Sequence, residues 1–167
     1  WGTYWKEYAE MARSGLFDFL GHPDLIKKFS YRPKGDLKRF YEPVVQAMLD
    51  ADAAIELNTA GFHKPCAEQY PSFEFLELAA SANIPITLSS DAHAPSEVAR
   101  DFKKGISLLK DAGFKSTCLF EKRIRKQEIF SPLPEGSPNS HSRKALPSLQ
   151  SGPRASVISF APFDLVV

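Results

Sequence analysis

The sequence predicts an α/β fold of about four parallel βα units, and three observations lead to this prediction. Short apolar runs of strand length alternate four times with segments whose apolar residues recur at helical spacing. The connections between these segments are short, as they are in βα units. Polar clusters directly follow three successive predicted strands. Because ligands bind where the loops after parallel strands converge, these clusters mark one candidate site.

Composition restricts the class of protein. The chain has 167 residues, of which 43% are hydrophobic, enough for one globular domain with a core. With 21 Lys+Arg against 20 Asp+Glu, its net charge of +1 gives no electrostatic reason to expect long nucleic acid or a membrane as partner. The 2 cysteines have neither metal-site nor disulfide-framework spacing, which favours a reducing, cytoplasmic setting. No apolar run reaches the length of a membrane span and no leader opens the chain.

The first half of the predicted domain begins with a helix over residues 3–13, where apolar side chains recur every three residues. A short apolar strand is predicted at 16–20, and a helical turn follows at 24–29. The next helix has Asp36 as its N-cap and a broad apolar face. Pro43 lies inside that face, so we expect a kink there or a later helix start.

The second half continues the alternation. A strand at 53–58 precedes a polar connection rich in Gly and Pro, and a helix then opens at Ser72. A strand follows at 86–89, and Pro95 begins a helix that is expected to run to Ala112 with Val98 facing inward. A last parallel strand is predicted at 116–120. Each unit takes about thirty residues, as a βα crossover requires.

Residues 131–167 differ in composition from the domain at 1–130. They hold 6 of the 13 prolines and 8 serines, without a periodic apolar stripe. We expect this tail to be disordered and limited proteolysis to trim the chain near 132–136 without unfolding the rest. A further strand at Val157–Phe160 is the alternative.

The strongest chemical signal is Ser90-Asp91-Ala92-His93, directly after the strand at 86–89. In extended backbone, Asp91 and His93 point the same way, and a carboxylate with an imidazole forms half of a divalent-metal site. The alternative is that Asp91 caps the helix near Ser96 and His93 is solvated. His22, after the strand at 16–20, is the third candidate ligand, although a histidine in a Gly-His-Pro turn is also often structural.

Further polar residues lie beside these ligands in the predicted fold. Asp24 is a candidate to orient His22 or to contact a substrate cation, and equally a local cap. Asn58, at the end of its strand, either reaches the substrate or forms an Asx turn. His63 and Lys64 supply cationic groups suited to a phosphate, the alternative for Lys64 being simple solvation.

Four segments in one register resemble histidinol-phosphatases of the polymerase-and-histidinol-phosphatase (PHP) superfamily. They are residues 17–29, 56–61, 70–72 and 86–93, and the resemblance extends over about residues 1–130. It implies an incomplete (β/α) barrel, part of a distorted TIM-like barrel with a metal cluster at its carboxyl mouth. The family's opening His-x-His motif is absent, so the chain resembles the carboxyl-terminal half of such an enzyme and an amino-terminal half is an implied partner.

The resemblance also implies roles for individual residues. His22, Asp91 and His93 match metal-ligand positions for up to three divalent ions (zinc, manganese or iron), and the loop from Asn58 to Lys64 faces the substrate phosphate. The family usually has arginine at the position of His63, so Lys64 or protonated His63 is expected to take the place of the bidentate grip on phosphate.

The implied activity is hydrolysis of a phosphate monoester, a small phosphorylated metabolite, with L-histidinol phosphate of histidine biosynthesis as the family substrate. The group that protonates the leaving oxygen is not assigned. Two alternatives stay open at this point. One is an inactive half-barrel that works only with a complementary chain, and the other is a PHP-type phosphoesterase acting on nucleotides.

Overall fold

The computed structural model describes residues 1–130, so the tail at 131–167 and the alternative strand at Val157–Phe160 lie outside the described residues. The α-helices and strands are α1 Gly2–Arg13, β1 Phe19–Leu20, α2 Lys38–Asp50, β2 Ala54–Asn58, α3 Phe73–Ser81, β3 Ile86–Ser89, α4 Phe102–Asp111, β4 Ser116–Glu121 and β5 Ile124–Ile129. Three 3-10 turns, Leu25–Lys27, Thr59–His63 and Pro95–Glu97, lie in the loops after β1, β2 and β3. Among residues 1–130, no helix is long and apolar enough to cross a membrane.

The first sheet is parallel and has the order β1-β2-β3, which confirms the predicted βα arrangement for these strands. Ile55 pairs with Ile86 and Leu57 with Leu88, so the apolar side chains of the two strands share one face. Helix α4 packs on this face at Gly105, where an added Cβ would lie 2.9 Å from Leu88 Cδ1. The opposite face of the same strands carries polar residues, namely Glu56, Asn58, Thr87 and Ser89.

The core is centred on aromatic side chains from the first three helices. The ring of Trp5 lies 5.0 Å from that of Tyr41 and 5.6 Å from that of Phe75, centroid to centroid. All three are buried, together with Met48 of α2. Burying each of these side chains contributes about 2–3 kcal/mol, so packing holds α1, α2 and α3 against one another. Helix α2 continues through Pro43, which the sequence had placed at a kink or a helix start.

The fourth predicted strand forms, but in the described residues it is not hydrogen-bonded to the parallel sheet. Strand β4 lies beside β3 but pairs with β5 in an antiparallel two-stranded sheet. The physical reason is the two-residue connection at Lys122 and Arg123, whose φ values of 51° and 66° are left-handed and reverse the chain in a tight hairpin. The described residues therefore contain three parallel strands and one hairpin.

The hairpin is attached near the amino ends of the parallel strands. Arg123 pairs with Asp18 at 3.2 Å, just before β1, and Arg125 pairs with Asp52 at 2.8 Å, just before β2. Phe120 stacks on Phe19 with ring centroids 5.5 Å apart. These contacts leave the carboxyl edge of the sheet, where the polar clusters lie, to the loops.

Two predicted elements are shorter than expected. The strand at 16–20 contracts to Phe19–Leu20, and Leu16 is 69% exposed. The helix expected from Pro95 to Ala112 is a 3-10 turn, a break and then α4, and Val98 is 61% exposed rather than inward. Its cause is left-handed backbone at Ala99 and Asp101, with φ values of 59° and 61°, which an α-helix does not allow.

Gly61→Ala is expected to destabilise the domain by about 2 kcal/mol or more, because an added Cβ would lie 2.1 Å from the carbonyl oxygen of Glu68. Neither backbone segment can move without disturbing the loop after β2. The matched control is Gly2→Ala, where the nearest atom is the ring of Phe40 at 3.9 Å. Thermal unfolding of both variants tests this, and equal midpoints would contradict it.

Candidate active site

A hydrogen bond within the loop after β3 selects the tautomer of His93. His93 Nδ1 lies 2.8 Å from the backbone carbonyl oxygen of Asp91. A carbonyl oxygen only accepts, so Nδ1 must carry the hydrogen, and in the neutral ring Nε2 keeps its lone pair. This is the arrangement in which second contacts orient metal-binding histidines. Both side chains are exposed.

The contacts within this loop differ from the predicted helix cap at Asp91. Asp91 does not cap a helix at Ser96, because the 3-10 turn there has Ala94 as its N-cap and no side-chain cap bond. Instead the backbone N–H of His93 donates to Glu97 Oε2 at 2.9 Å. That hydrogen bond is the main reason why the pKa of Glu97 lies below its usual value. The Asp91 backbone is left-handed, with φ 47°.

The turn after β1 is held by hydrogen bonds to its backbone. The N–H of His22 donates to Glu56 Oε2 at 2.7 Å, and His22 has a φ of 28°. The hydroxyls of Tyr8 and Tyr4 donate to the carbonyl oxygens of Gly21 and Pro23, both at 2.8 Å. Burial raises the pKa of both phenols, so they remain protonated donors at neutral pH. The chain thus fixes the backbone on both sides of the half-buried His22.

Glu56 is a site residue that the sequence predictions missed. It is buried in the centre of β2, and its Oε2 accepts from both His22 N and Asn58 Nδ2, the latter at 3.2 Å. The available signal was its alternation with Asn58 in an otherwise apolar strand. Glu56 links the turn after β1 to the end of β2.

Asn58 forms the Asx turn that was one of its two predicted roles. Its Oδ1 accepts from Ala60 N at 2.9 Å, and the residue is 1% exposed. The amide therefore begins the 3-10 turn Thr59–His63 and shapes the loop. Direct contact with a substrate is its other predicted role, and the amide keeps one Nδ2–H and one Oδ1 lone pair for it.

The 3-10 turn after β2 also contacts the beginning of α4. His63 Nε2 lies 2.6 Å from Asp101 Oδ2, a pair that the sequence did not reveal because the residues are 38 positions apart. Thr59 Oγ1 donates to the carbonyl oxygen of Arg100 at 2.7 Å. Lys64 is exposed at the end of the turn, and no ion pair within residues 1–130 involves its ammonium.

Asp24 forms a buried ion pair that the sequence did not predict. Its Oδ2 accepts from Lys27 Nζ at 2.9 Å and from Ser72 N at 2.7 Å, and both charged side chains are fully buried. Burial raises the pKa of Asp24 and lowers that of Lys27, while their mutual attraction opposes both shifts. Lys27 also pairs with Glu68 at 3.1 Å. The pair ties the loop after β1 to the loop after β2.

The structure brings the candidate residues to one edge of the sheet. Strand β2 lies between β1 and β3, so the loops that carry His22 and His93 flank the loop that carries His63. Across residues 1–130, however, no group of three or more His, Cys, Asp or Glu side chains is arranged to hold a metal ion. Metal binding by His22, Asp91 and His93 therefore remains a prediction. The donor set, two imidazoles and a carboxylate, suits zinc, manganese or iron.

Comparison with curated proteins gives relatives of one kind, while no protein-family model matches the chain. The chain is 35% identical over 127 residues to the probable histidinol-phosphatase of Deinococcus radiodurans, an alignment that covers 74% of this chain and 48% of that protein. It is 29% identical over 110 residues to the probable histidinol-phosphatase of Schizosaccharomyces pombe, covering 62% of this chain and 36% of the relative. The chain thus spans about half, or less, of the length of these relatives.

Two solved structures share the fold. One is the histidinol phosphate phosphatase of Lactococcus lactis, solved with zinc, L-histidinol and phosphate, which superposes with a TM-score of 0.53 at 21% identity. The match covers 73% of this chain and 50% of the Lactococcus lactis chain. The other is a candidate histidinol phosphatase from Listeria monocytogenes, with a TM-score of 0.50 at 25% identity. That match covers 60% of this chain and 43% of the Listeria monocytogenes chain. The α/β fold with parallel strands is therefore that of part of a histidinol-phosphatase structure.

Proposed function

We propose that this chain supplies the carboxyl-terminal half of a metal-dependent phosphate monoester hydrolase that acts on L-histidinol phosphate. The observation that carries the proposal is the 35% identity to a probable histidinol-phosphatase over 127 residues. The placement of three polar loops at the carboxyl edge of a parallel sheet is consistent with such a site. The proposed reaction converts L-histidinol phosphate and water to L-histidinol and phosphate.

In this proposal His22, Asp91 and His93 are ligands of a divalent metal. Such an ion would neutralise phosphate charge and make hydroxide available near neutral pH. His93 is suited to this role because its Nδ1 hydrogen is donated to the Asp91 carbonyl, which leaves Nε2 as the nitrogen with a lone pair. Further ligands are proposed to come from the amino-terminal half of the enzyme.

The phosphate is proposed to lie near Lys64 and His63, which the 3-10 turn after β2 presents at the same edge. The ammonium of Lys64 is a mobile point charge that attracts the phosphate dianion without fixing its geometry. Asn58 contributes by capping this turn, since its Oδ1 accepts from Ala60 N while its Nδ2 donates to Glu56. Lys64, His63 and Asn58 would bind the substrate, while His22, Asp91 and His93 would act on the reacting phosphorus through the metal.

The rival hypothesis is an inactive half-barrel that needs a complementary chain. It is favoured by β1, which within residues 1–130 pairs only with β2 and so has one open edge. A completed enzyme, in which the amino-terminal half of the Deinococcus radiodurans relative is fused to this chain, distinguishes a half-barrel that carries metal ligands from one whose residues take no part in catalysis. Activity of the completed enzyme that depends on ligands of this chain supports the proposed function.

Calorimetric titration with Zn²⁺ or Mn²⁺ tests the metal assignment without requiring turnover. The 167-residue chain is expected to bind weakly, because it supplies few ligands, and His93→Ala is expected to lower the affinity at least about tenfold. His141→Ala, a histidine outside the described residues with no predicted role, is the control. Equal affinities of the two variants would contradict ligation by His93.

A further inference from the structure

We infer that His63, held by Asp101, is the proton donor to the leaving oxygen of the phosphate ester. The inference rests on the proposed function and adds a step to it. An alkoxide is a poor leaving group, so a positioned acid that protonates it accelerates the reaction. Neither the resemblance nor the metal ligands supply that acid.

The hydrogen-bond geometry decides which ring nitrogen is available. His63 Nε2 lies 2.6 Å from Asp101 Oδ2. A carboxylate only accepts, so Nε2 carries a hydrogen in this pair. Among residues 1–130, Asp101 is the one hydrogen-bond partner of this ring, which leaves Nδ1 for a substrate. An imidazole oriented by a carboxylate is the arrangement that proteins use for proton transfer.

Asp101 makes this contact from a locally unfavourable backbone conformation. It is the N-cap of α4, where an aspartate usually accepts a hydrogen bond from the first turn, but it makes no such bond. Its backbone is left-handed with φ 61°, a conformation that is strained for a residue with a side chain. Strain of this kind, held by surrounding contacts, is common at functional positions.

Neighbouring contacts hold the two residues in place. Thr59 Oγ1 donates to the carbonyl oxygen of Arg100, the residue before Asp101, at 2.7 Å. Lys104 Nζ lies 3.4 Å from the ring centroid of Phe62, the residue before His63. The 3-10 turn after β2 and the first turn of α4 therefore meet at three adjacent points.

The charged groups around the pair favour a phosphate there. Lys64 follows His63 in the chain, and Lys104 lies one turn after Asp101. Arg100 is partly neutralised by Glu97 at 3.3 Å. Two lysines thus lie within three residues of the pair in the chain, against the single carboxylate that His63 uses, and this charge balance favours a phosphate dianion.

The step balances without a redox partner. The oxygen of water forms a bond to phosphorus as the bond from phosphorus to the ester oxygen breaks. The electron pair of that bond goes to the ester oxygen, which takes the proton from His63 Nδ1. The attacking water releases one proton to solvent, and solvent returns one to Nδ1. Nε2–H remains donated to Asp101, which acts as a positioning residue.

The test compares two esters that differ in their need for a proton donor. L-histidinol phosphate has an alkoxide leaving group, whereas p-nitrophenyl phosphate releases a phenolate that leaves unprotonated. In the completed enzyme, His63→Gln is expected to lower kcat/KM about 100-fold or more for the alkyl ester and by less than about threefold for the aryl ester. Asp101→Asn is expected to discriminate in the same direction, because a neutral amide does not stabilise the imidazolium and its NH2 group can donate to Nε2, which favours the wrong tautomer.

Asp111→Asn, at the exposed other end of α4, is the matched control and should leave both esters unchanged. Nitrogen-15 NMR of the full chain, at a pH where imidazole is neutral, should show the His63 hydrogen on Nε2. Equal losses on the two esters, or a hydrogen on Nδ1, would overturn the inference and leave the proposed function standing. A completed enzyme that hydrolyses neither ester would overturn both.

Discussion

His93→Ala or Asp91→Ala is expected to abolish hydrolysis of L-histidinol phosphate by the completed enzyme. The loss should exceed the roughly 10²–10³-fold that follows removal of one transition-state hydrogen-bond donor, because the metal itself is lost or displaced. The His93 tautomer supports this expectation, since Nδ1–H is already donated to the Asp91 carbonyl at 2.8 Å. Steady-state phosphate release with excess Mn²⁺ measures it.

Lys64→Ala is the comparison within the same site. It removes a phosphate contact and leaves the proposed metal ligands in place, so KM should rise while kcat changes little. If Lys64→Ala lowered kcat as strongly as His93→Ala, the division between metal ligands and phosphate contacts would be wrong. If His93→Ala kept full activity, His93 would not be a ligand.

The largest expected effect on stability is that of Lys27→Met. Removing one partner of a buried ion pair leaves the other charge uncompensated and costs about 3–5 kcal/mol. Lys27 Nζ lies 2.9 Å from Asp24 Oδ2 and donates to the carbonyl oxygen of Gln69 at 2.7 Å, with no exposed surface on either charged side chain. Urea denaturation of the full chain measures the free energy of unfolding.

Two further variants make this test specific. Lys28→Met changes the neighbouring, half-buried lysine and is expected to alter stability by no more than about 0.5 kcal/mol. The double variant Asp24→Asn with Lys27→Met removes both charges but keeps an acceptor for Ser72 N, so it should be more stable than Lys27→Met alone. A double variant as unstable as the single one would show that lost packing, rather than an unpaired charge, is the cause.

Local pattern was sufficient to predict the elements that are amphipathic or apolar. The helix at 3–13 and the strands at 53–58 and 86–89 were predicted within one or two residues, because side-chain burial follows backbone periodicity. The parallel direction of β1, β2 and β3 followed from their alternation with helices, whereas their order in the sheet was not predicted.

Elements that depend on backbone strain or distant contacts could not be predicted in this way. Strand β5 is exposed along its length and has no apolar alternation, so only its pairing with β4 defines it. The break before α4 contains neither Gly nor Pro, and left-handed backbone at Ala99 and Asp101 produces it. Sequence pattern carries no signal for such a conformation in a residue that usually avoids it.

The site was predicted as far as its residues follow strands. His22 and His93 follow β1 and β3, and Asn58 is the last residue of β2, as expected. The contacts that orient this edge join residues far apart in the chain, as with Asp24 and Ser72, which are 48 positions apart. No local pattern encodes such pairs, because they form only when the loops of different βα units meet.

Phosphate release from L-histidinol phosphate, compared between the 167-residue chain and the completed enzyme, tests the central claim most directly. With Zn²⁺, Mn²⁺ or Fe²⁺ added, the chain alone should be a poor phosphatase, because three proposed ligands hold metal and hydroxide weakly. The completed enzyme should turn over substrate, and its activity should disappear with His93→Ala. Full activity from the 167 residues alone, or no activity from a folded completed enzyme, would contradict the account.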